Sequence, residues 1–265
     1  MTYFQFHLAF TLPFVAILAV CAWRQGALTR QRGAYLALIA VVALVYTTPW
    51  DNLLVWKGVW GYSPGRVMAT IGYVPIEEYL FFLVQPMLTG LWLFWFCRDR
   101  RARAAWERSA PIRIGGSILF ALVTGAGVAM LFAEQTLYMG LILAWAGPIL
   151  LFQWAYGGHY LWNQASDYAL AVGGPTLDLW GADRIAIELG IWNISEQFTT
   201  GLHLLGLPIE EAVFFLVTNM MVVQGLLLAE WVFEVRQGPI FGRLFSSRRT
   251  TTAPGYAYAH AEPIE

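Results

Sequence analysis

The sequence predicts an all-α, polytopic membrane protein with seven transmembrane helices. Three observations carry this. The 265 residues are 58% hydrophobic and only 12% charged, whereas soluble domains carry about 25% charged residues. The apolar residues fall in long runs parted by short polar segments. The basic residues sort to one side when each run is counted as a crossing.

The runs lie at about 4–23, 34–50, 73–96, 114–133, 137–156, 165–181 and 205–233. Five are long enough to cross a hydrocarbon core of about 30 Å at about 1.5 Å per residue. The second is short but holds the strongly apolar stretch 35–46. The sixth is the weak one, interrupted by Asp167, Gly173, Gly174, Pro175 and Asp178, so hydropathy alone admits six spans. Charge favours seven. With the N-terminus outside, Arg24, Arg30 and Arg32 fall in an inner loop. Arg98, Arg100, Arg101, Arg103, Arg108 and Arg113 fall in a second, and Arg236, Arg243, Arg248 and Arg249 in an inner tail. Only Lys57, Arg66 and Arg184 remain outside, as the positive-inside rule expects. The expected location is the cell membrane, multi-pass, with the C-terminus cytoplasmic. No basic segment precedes the first run and no small-residue cleavage site follows it, so it reads as a span rather than a cleaved signal.

The chain repeats itself. Asp51, Gly58, Val59 and Trp60 precede Pro75-Ile76-Glu77-Glu78-Tyr79-Leu80-Phe81-Phe82. Asp183, Gly190, Ile191 and Trp192 precede Pro208-Ile209-Glu210-Glu211-Ala212-Val213-Phe214-Phe215. The offset maps span one onto five, two onto six and three onto seven, and leaves span four as a connector. A shift of four spans returns the chain to the same side, so the expected architecture is two parallel three-helix repeats joined by a connector helix, related by an axis near the membrane normal. The expected domains are 1–96 (first repeat), 97–136 (basic loop and connector span), 137–233 (second repeat) and 234–265, a polar tail whose composition suits disorder.

Pro75 and Pro208 suit the first position of a helix, which puts Glu77, Glu78, Glu210 and Glu211 in first turns. Capping is their plainest role, because free N–H groups there favour negative charge. Two adjacent acids repeated at the mouths of two membrane spans exceed what capping needs, and a carboxyl next to hydrocarbon is by default a functional candidate. Burial favours the neutral acid and the helix dipole the carboxylate; the sequence leaves that balance open. Phe81, Phe82, Phe214 and Phe215 follow one turn later. Their ring faces would stabilise a cation, or simply pack. Asp51 and Asp183 sit toward the same membrane face and offer a third carboxyl to each site, or cap a helix end. Trp60 and Trp192 would wall the site or anchor the interface.

Other chemistries lose support. The net charge of -1 gives a nucleic-acid role no electrostatic basis. Cys21 and Cys97 form no CxxC and read as thiols, not as a disulfide. His7, His159, His203 and His260 form no metal-binding cluster, so no metal is expected. No GxGxxG follows a strand pattern and no GxSxG occurs. The single lysine, Lys57, lies between spans, which removes a retinal Schiff base. No cofactor is identifiable. What remains is acid chemistry on an apolar substrate, or ion and proton binding by carboxylates.

The segments PW-DN at 49–52, PIEE-YLFF at 75–82 and PIEE-AVFF at 208–215, with GVW and GIW upstream, resemble the membrane-integral lycopene cyclase family. That family occurs as two small subunits in some bacteria, as one fused chain in others and in archaea, and as the cyclase half of fungal bifunctional phytoene synthase/lycopene cyclases. The resemblance covers about residues 4–233 and matches the fused form. It implies a lycopene β-cyclase, an intramolecular lyase or isomerase that closes linear end groups of lycopene, or a related linear carotenoid, to β-ionone rings by way of γ-carotene. It implies catalytic carboxyls among Glu77, Glu78, Glu210 and Glu211, with Asp51 and Asp183 accompanying them. Trp60, Phe81, Phe82, Trp192, Phe214 and Phe215 would contact the substrate. Expected partners are the carotenoid, membrane lipid and other enzymes of carotenoid synthesis. Without the resemblance, a carboxylate-dependent transporter or a non-catalytic subunit of a membrane complex also fits. A transporter needs a polar path, and spans one and four offer almost none.

Overall fold

The computed structural model describes residues 1–97 and 110–232. The expectations for Arg98, Arg100, Arg101, Arg103 and Arg108, and for the tail from 234 with Arg236, Arg243, Arg248 and Arg249, lie outside the described residues.

Among the described residues seven long helices make the fold: α1 (Tyr3–Arg24), α2 (Arg30–Lys57), α3 (Ile76–Phe96), α4 (Ala110–Met130), α5 (Leu137–Trp162), α6 (Ala165–Glu188) and α7 (Ile209–Glu230). Six are long and apolar enough to cross a membrane. The sixth in order, α6, falls short on apolarity because it carries Asp167, Asp178, Asp183, Arg184 and Glu188. Its 24 residues reach about 36 Å at about 1.5 Å per residue. Its two ends lie at the same two faces as those of α5. Strand β1 (Trp60–Tyr62), after α2, pairs antiparallel with β4 (Trp192–Ile194), after α6. Gln197, beyond β4, donates to Glu134 at the head of α5. The two ends of the α5–α6 pair therefore share one face, and the Trp162–Ala165 turn lies at the other.

The ends of the helices are written locally. Thr2 and Gln5 form a reciprocal capping box at the start of α1, and Thr29 caps α2 through the Arg32 N–H. Gly58 and Gly190 adopt φ of 73° and 63°, the left-handed conformation that ends a helix and turns the chain. Because α2 and α6 run on to these glycines, Asp51, Asp183, Lys57 and Arg184 are helical. The sequence reading had placed them in loops or at helix ends. Pro75 and Pro208 stand one position earlier than expected, as N-caps with extended backbone. Each closes a small hairpin: β2 (Thr70–Ile71) with β3 (Val74–Pro75), and β5 (His203–Leu204) with β6 (Leu207–Pro208).

The central helices are α3 and α7, the most enclosed of the spans. Between them lies a buried polar cluster. Asn219 Oδ1 accepts from Gln85 Nε2 at 2.7 Å and from Thr89 Oγ1 at 2.6 Å, while Asn219 Nδ2 donates to Thr176 Oγ1 at 3.0 Å. Such bonds hold helices together where no hydrophobic force acts between them. At the opposite end from the hairpins, Arg32 pairs with Glu230 at 2.5 Å. Helix α4 lies against α5 through small residues: a Cβ on Gly127 would meet Ala144 N at 2.6 Å.

Candidate active site

The site forms where the hairpins present the first turns of α3 and α7. Adjacent helical residues diverge by about 100°, and here each glutamate pair divides its work. Glu77 Oε1 accepts from the Met68 N–H at 2.9 Å, and Glu210 Oε1 accepts from the Thr200 N–H at 2.7 Å and Thr200 Oγ1 at 2.8 Å. Both tie the helix start to the loop leading into it. Glu78 and Glu211 point the other way, into one shared cavity.

The cavity is narrow, with about 40 Å³ of open volume between its walls. Its walls are mainly aromatic: Phe6, Trp60, Phe81, Trp192, Phe214 and Phe215 face it, with Asp183 as a third carboxyl. Glu78, Glu211 and Asp183 are each at least nine-tenths buried. Each is held by a donor. Tyr3 Oη and Tyr62 Oη donate to Glu78 Oε2 at 2.6 Å and 3.2 Å. Tyr138 Oη donates to Glu211 Oε1 at 2.6 Å. Trp192 Nε1 donates to Asp183 Oδ1 at 2.9 Å. Burial, followed by the neighbouring Glu78 and Asp51 carboxyls, pushes the Tyr62 phenol well above its ordinary pKa. Tyr62 therefore stays a donor throughout the working pH range.

The expected site residues separate into two groups. Glu78, Glu211, Asp183, Trp60, Trp192, Phe81, Phe214 and Phe215 come together around the cavity. Glu77 and Glu210 serve the hairpins. Asp51 is fully buried, and neither of its carboxyl oxygens has a hydrogen-bond partner among the described residues. Phe82 turns away and packs edge-on to Tyr79 at 5.8 Å.

Four polar residues escaped the sequence reading. Tyr3 and Tyr138 hold the two glutamates from α1 and α5. They occupy matching positions of the repeat, with Pro13 and Pro148 each ten residues on, so extending the alignment into spans one and five would have exposed them. Tyr62 sits two residues past Trp60, where the second copy has Ile194. His7 lines the cavity from a π-helical turn, His7–Thr11. Its Nε2 lies 3.0 Å from the Glu77 carbonyl oxygen. A carbonyl only accepts, so Nε2 carries a hydrogen.

Comparison with known proteins identifies the family. The family model described as lycopene cyclase matches residues 4–96 and 116–229. The lycopene beta-cyclase of Halobacterium salinarum is 45% identical over 220 residues, spanning 83% of this chain and 92% of the relative. The bifunctional lycopene cyclase/phytoene synthases of Aspergillus niger and Gibberella fujikuroi are 33% and 36% identical over 240 and 234 residues. This chain spans 40% of the length of each. No solved structure matches. With the family model covering most of the chain and a relative matched along nearly its full length, the protein belongs to the lycopene cyclase family.

Proposed function

We propose that this protein is a lycopene β-cyclase that closes the linear end groups of lycopene to β-ionone rings inside the membrane. The observation that carries the reading is the meeting of Glu78 and Glu211, one from each repeat, in a single aromatic cavity. Protonation of C2 in the terminal C1=C2 bond leaves a cation at C1. The C5=C6 bond attacks, C1–C6 forms, and the charge moves to C5. Loss of the C6 proton restores the C5=C6 bond. One proton enters and one leaves, so the product is an isomer and no electrons are consumed.

Glu78 acts as the acid. The carboxylate it leaves is received by two phenols, from Tyr3 and Tyr62, and such preplaced donors favour the charge as it develops. Glu211, held by the Tyr138 phenol, takes the C6 proton, and exchange between the two carboxyls resets the pair. Phe81, Phe214, Phe215, Trp60 and Trp192 surround the cation with ring faces. Asp183 and Asp51 set the local charge, and Glu77 and Glu210 hold the helix mouths. The two repeats, 1–96 and 137–233 with 97–136 between them, supply equivalent pieces to one site. The β1–β4 pairing and the matched Tyr–Glu bonds support this. The charge distribution supports a cell-membrane location with the N-terminus and the site toward the outer face. Lipid surrounds the chain, and other enzymes of carotenoid synthesis deliver the substrate.

The test is expression in bacteria that accumulate lycopene, followed by pigment analysis. Ring-bearing carotenoids should appear. Glu78→Gln and Glu211→Gln should each lower conversion by about 10²–10⁴, the usual contribution of a positioned acid or base. Unchanged lycopene beside confirmed membrane insertion overturns the reading.

A further inference from the structure

The repeat should produce two matching cavities, and among the described residues the place that mirrors the aromatic cavity is filled by side chains. The residue before Asp51 is Trp50; the residue before Asp183 is Ala182. Ala182 lines the cavity opposite Phe6, His7 and Thr11 of α1. At the matching place between α2 and α5, the Trp50 indole fills the space. It stacks on Trp145 at 4.7 Å and 21° and on Phe214 at 5.7 Å and 7°, and meets Trp60 edge-on at 5.8 Å. Its Nε1 donates to the Leu141 carbonyl of α5 at 3.2 Å. One turn earlier, Tyr46 donates to the Trp145 carbonyl at 2.9 Å and stacks on the same indole at 5.4 Å. These two side chains sew α2 to α5. The repeat places Asp178 and Ala182 at the corresponding positions of α6. Ala182 offers neither a donor nor a ring toward α1 and only packs, as a small side chain, against the cluster of Tyr3, Phe6, Ala186 and Ile191.

The other differences point the same way. The open side has His7, where the filled side has Ile142 in the core beside Trp50. Trp192 bonds Asp183 on the open side, whereas on the filled side Asp51 has no hydrogen-bond partner among the described residues. Helix α4 further covers the filled side, sending Phe120 into the core that contains Trp50 and Trp145.

We infer that the chain has one working cavity, entered by the carotenoid end group from the bilayer through the seam between α1 and α6, and that Trp50 and Tyr46 seal the twin seam between α2 and α5. The inference rests on the cyclase reading and adds the route and the stoichiometry. A linear carotenoid is far longer than the cavity, so its two ends are closed in separate visits. The one-ring product leaves and returns by its other end.

The experiment compares wild type, Ala182→Val, Ala182→Phe, Ala182→Trp and Tyr46→Phe in lycopene-accumulating cells. Conversion is normalised to the amount of inserted protein, and the carotenoid that co-purifies is measured alongside. Conversion and co-purified carotenoid should fall together as the side chain at 182 grows, to less than about one-tenth at Phe and further at Trp. Tyr46→Phe, which removes one hydroxyl on the sealed side, should stay within about twofold of wild type. The graded Val and Phe variants keep the test valid should the Trp variant fail to insert. Wild-type conversion by inserted Ala182→Phe overturns the inference while leaving the cyclase reading intact. Unchanged lycopene with wild type itself defeats the cyclase reading instead. In isolated membranes, labelled one-ring product should be diluted by added unlabelled one-ring carotenoid. Two-ring product with undiluted label also overturns the inference.

Discussion

Two tyrosines at the N-terminal ends of α1 and α5 solve the problem that the site poses. A carboxyl next to hydrocarbon is costly, and each of Glu78 and Glu211 meets a phenol at 2.6 Å. Hydrogen bonds to charged groups contribute about 1.5–3 kcal/mol, and about 1.4 kcal/mol is a factor of ten. Tyr3→Phe should therefore slow cyclisation at least about tenfold. Tyr62→Phe, losing a 3.2 Å bond, should slow it less. Initial rates in membranes containing equal protein check this, and equal rates in all three proteins would refute it. The sequence displayed the glutamates but not which member of each pair faces the cavity. That depends on helix phase. With Pro75 and Pro208 as N-caps, Glu78 and Glu211 become the third helical residues and turn inward, while Glu77 and Glu210 turn back to the hairpins. A shift of one residue at the proline would exchange these roles.

Between elements, polar side chains decide how the spans meet, because lipid is as apolar as the helices it surrounds. The Gln85–Thr89–Asn219–Thr176 cluster joins α3, α7 and α6 at once. Asn219→Leu should cost about 1–2 kcal/mol of stability, read as a lower unfolding midpoint in mixed micelles. Conversion at low temperature should remain, since the cluster does not line the cavity. A midpoint equal to that of wild type would show that the three bonds are replaced by others. The spans themselves were legible as apolar runs, as was the weak sixth, of whose acids Asp183 alone lines the cavity among the described residues. The true lengths of α2 and α6 were not. Hydropathy fades at Asp51 and Asp183, but backbone hydrogen bonding continues until a glycine offers a left-handed exit at Gly58 or Gly190. The hairpins left no pattern either, because two-residue strands are too short to alternate.

For the whole molecule, the question is whether two halves make one enzyme by contact or by covalent connection. The contacts are distributed through the depth of the bilayer: β1 with β4 at one face, Gln85 and Thr89 with Asn219 midway, and Arg32 with Glu230 at the other. Helix α4 belongs to the first half in sequence but packs on α5 of the second, so it fastens the halves even where the chain is cut after it. Cutting between 133 and 134 leaves a first fragment of four spans and a second of three. Both fragments start on the hairpin face, so each can insert in its native orientation. Co-expression of 1–133 and 134–265 in lycopene-accumulating bacteria should restore at least about one-tenth of the conversion of the intact chain, the loss reflecting association from separate molecules. Neither fragment alone should cyclise, because Glu78 and Glu211 would be parted. Conversion by a single fragment would contradict the shared site. Failure of the pair, with both fragments inserted and co-purifying, would mean that the turn before α5 does more than connect.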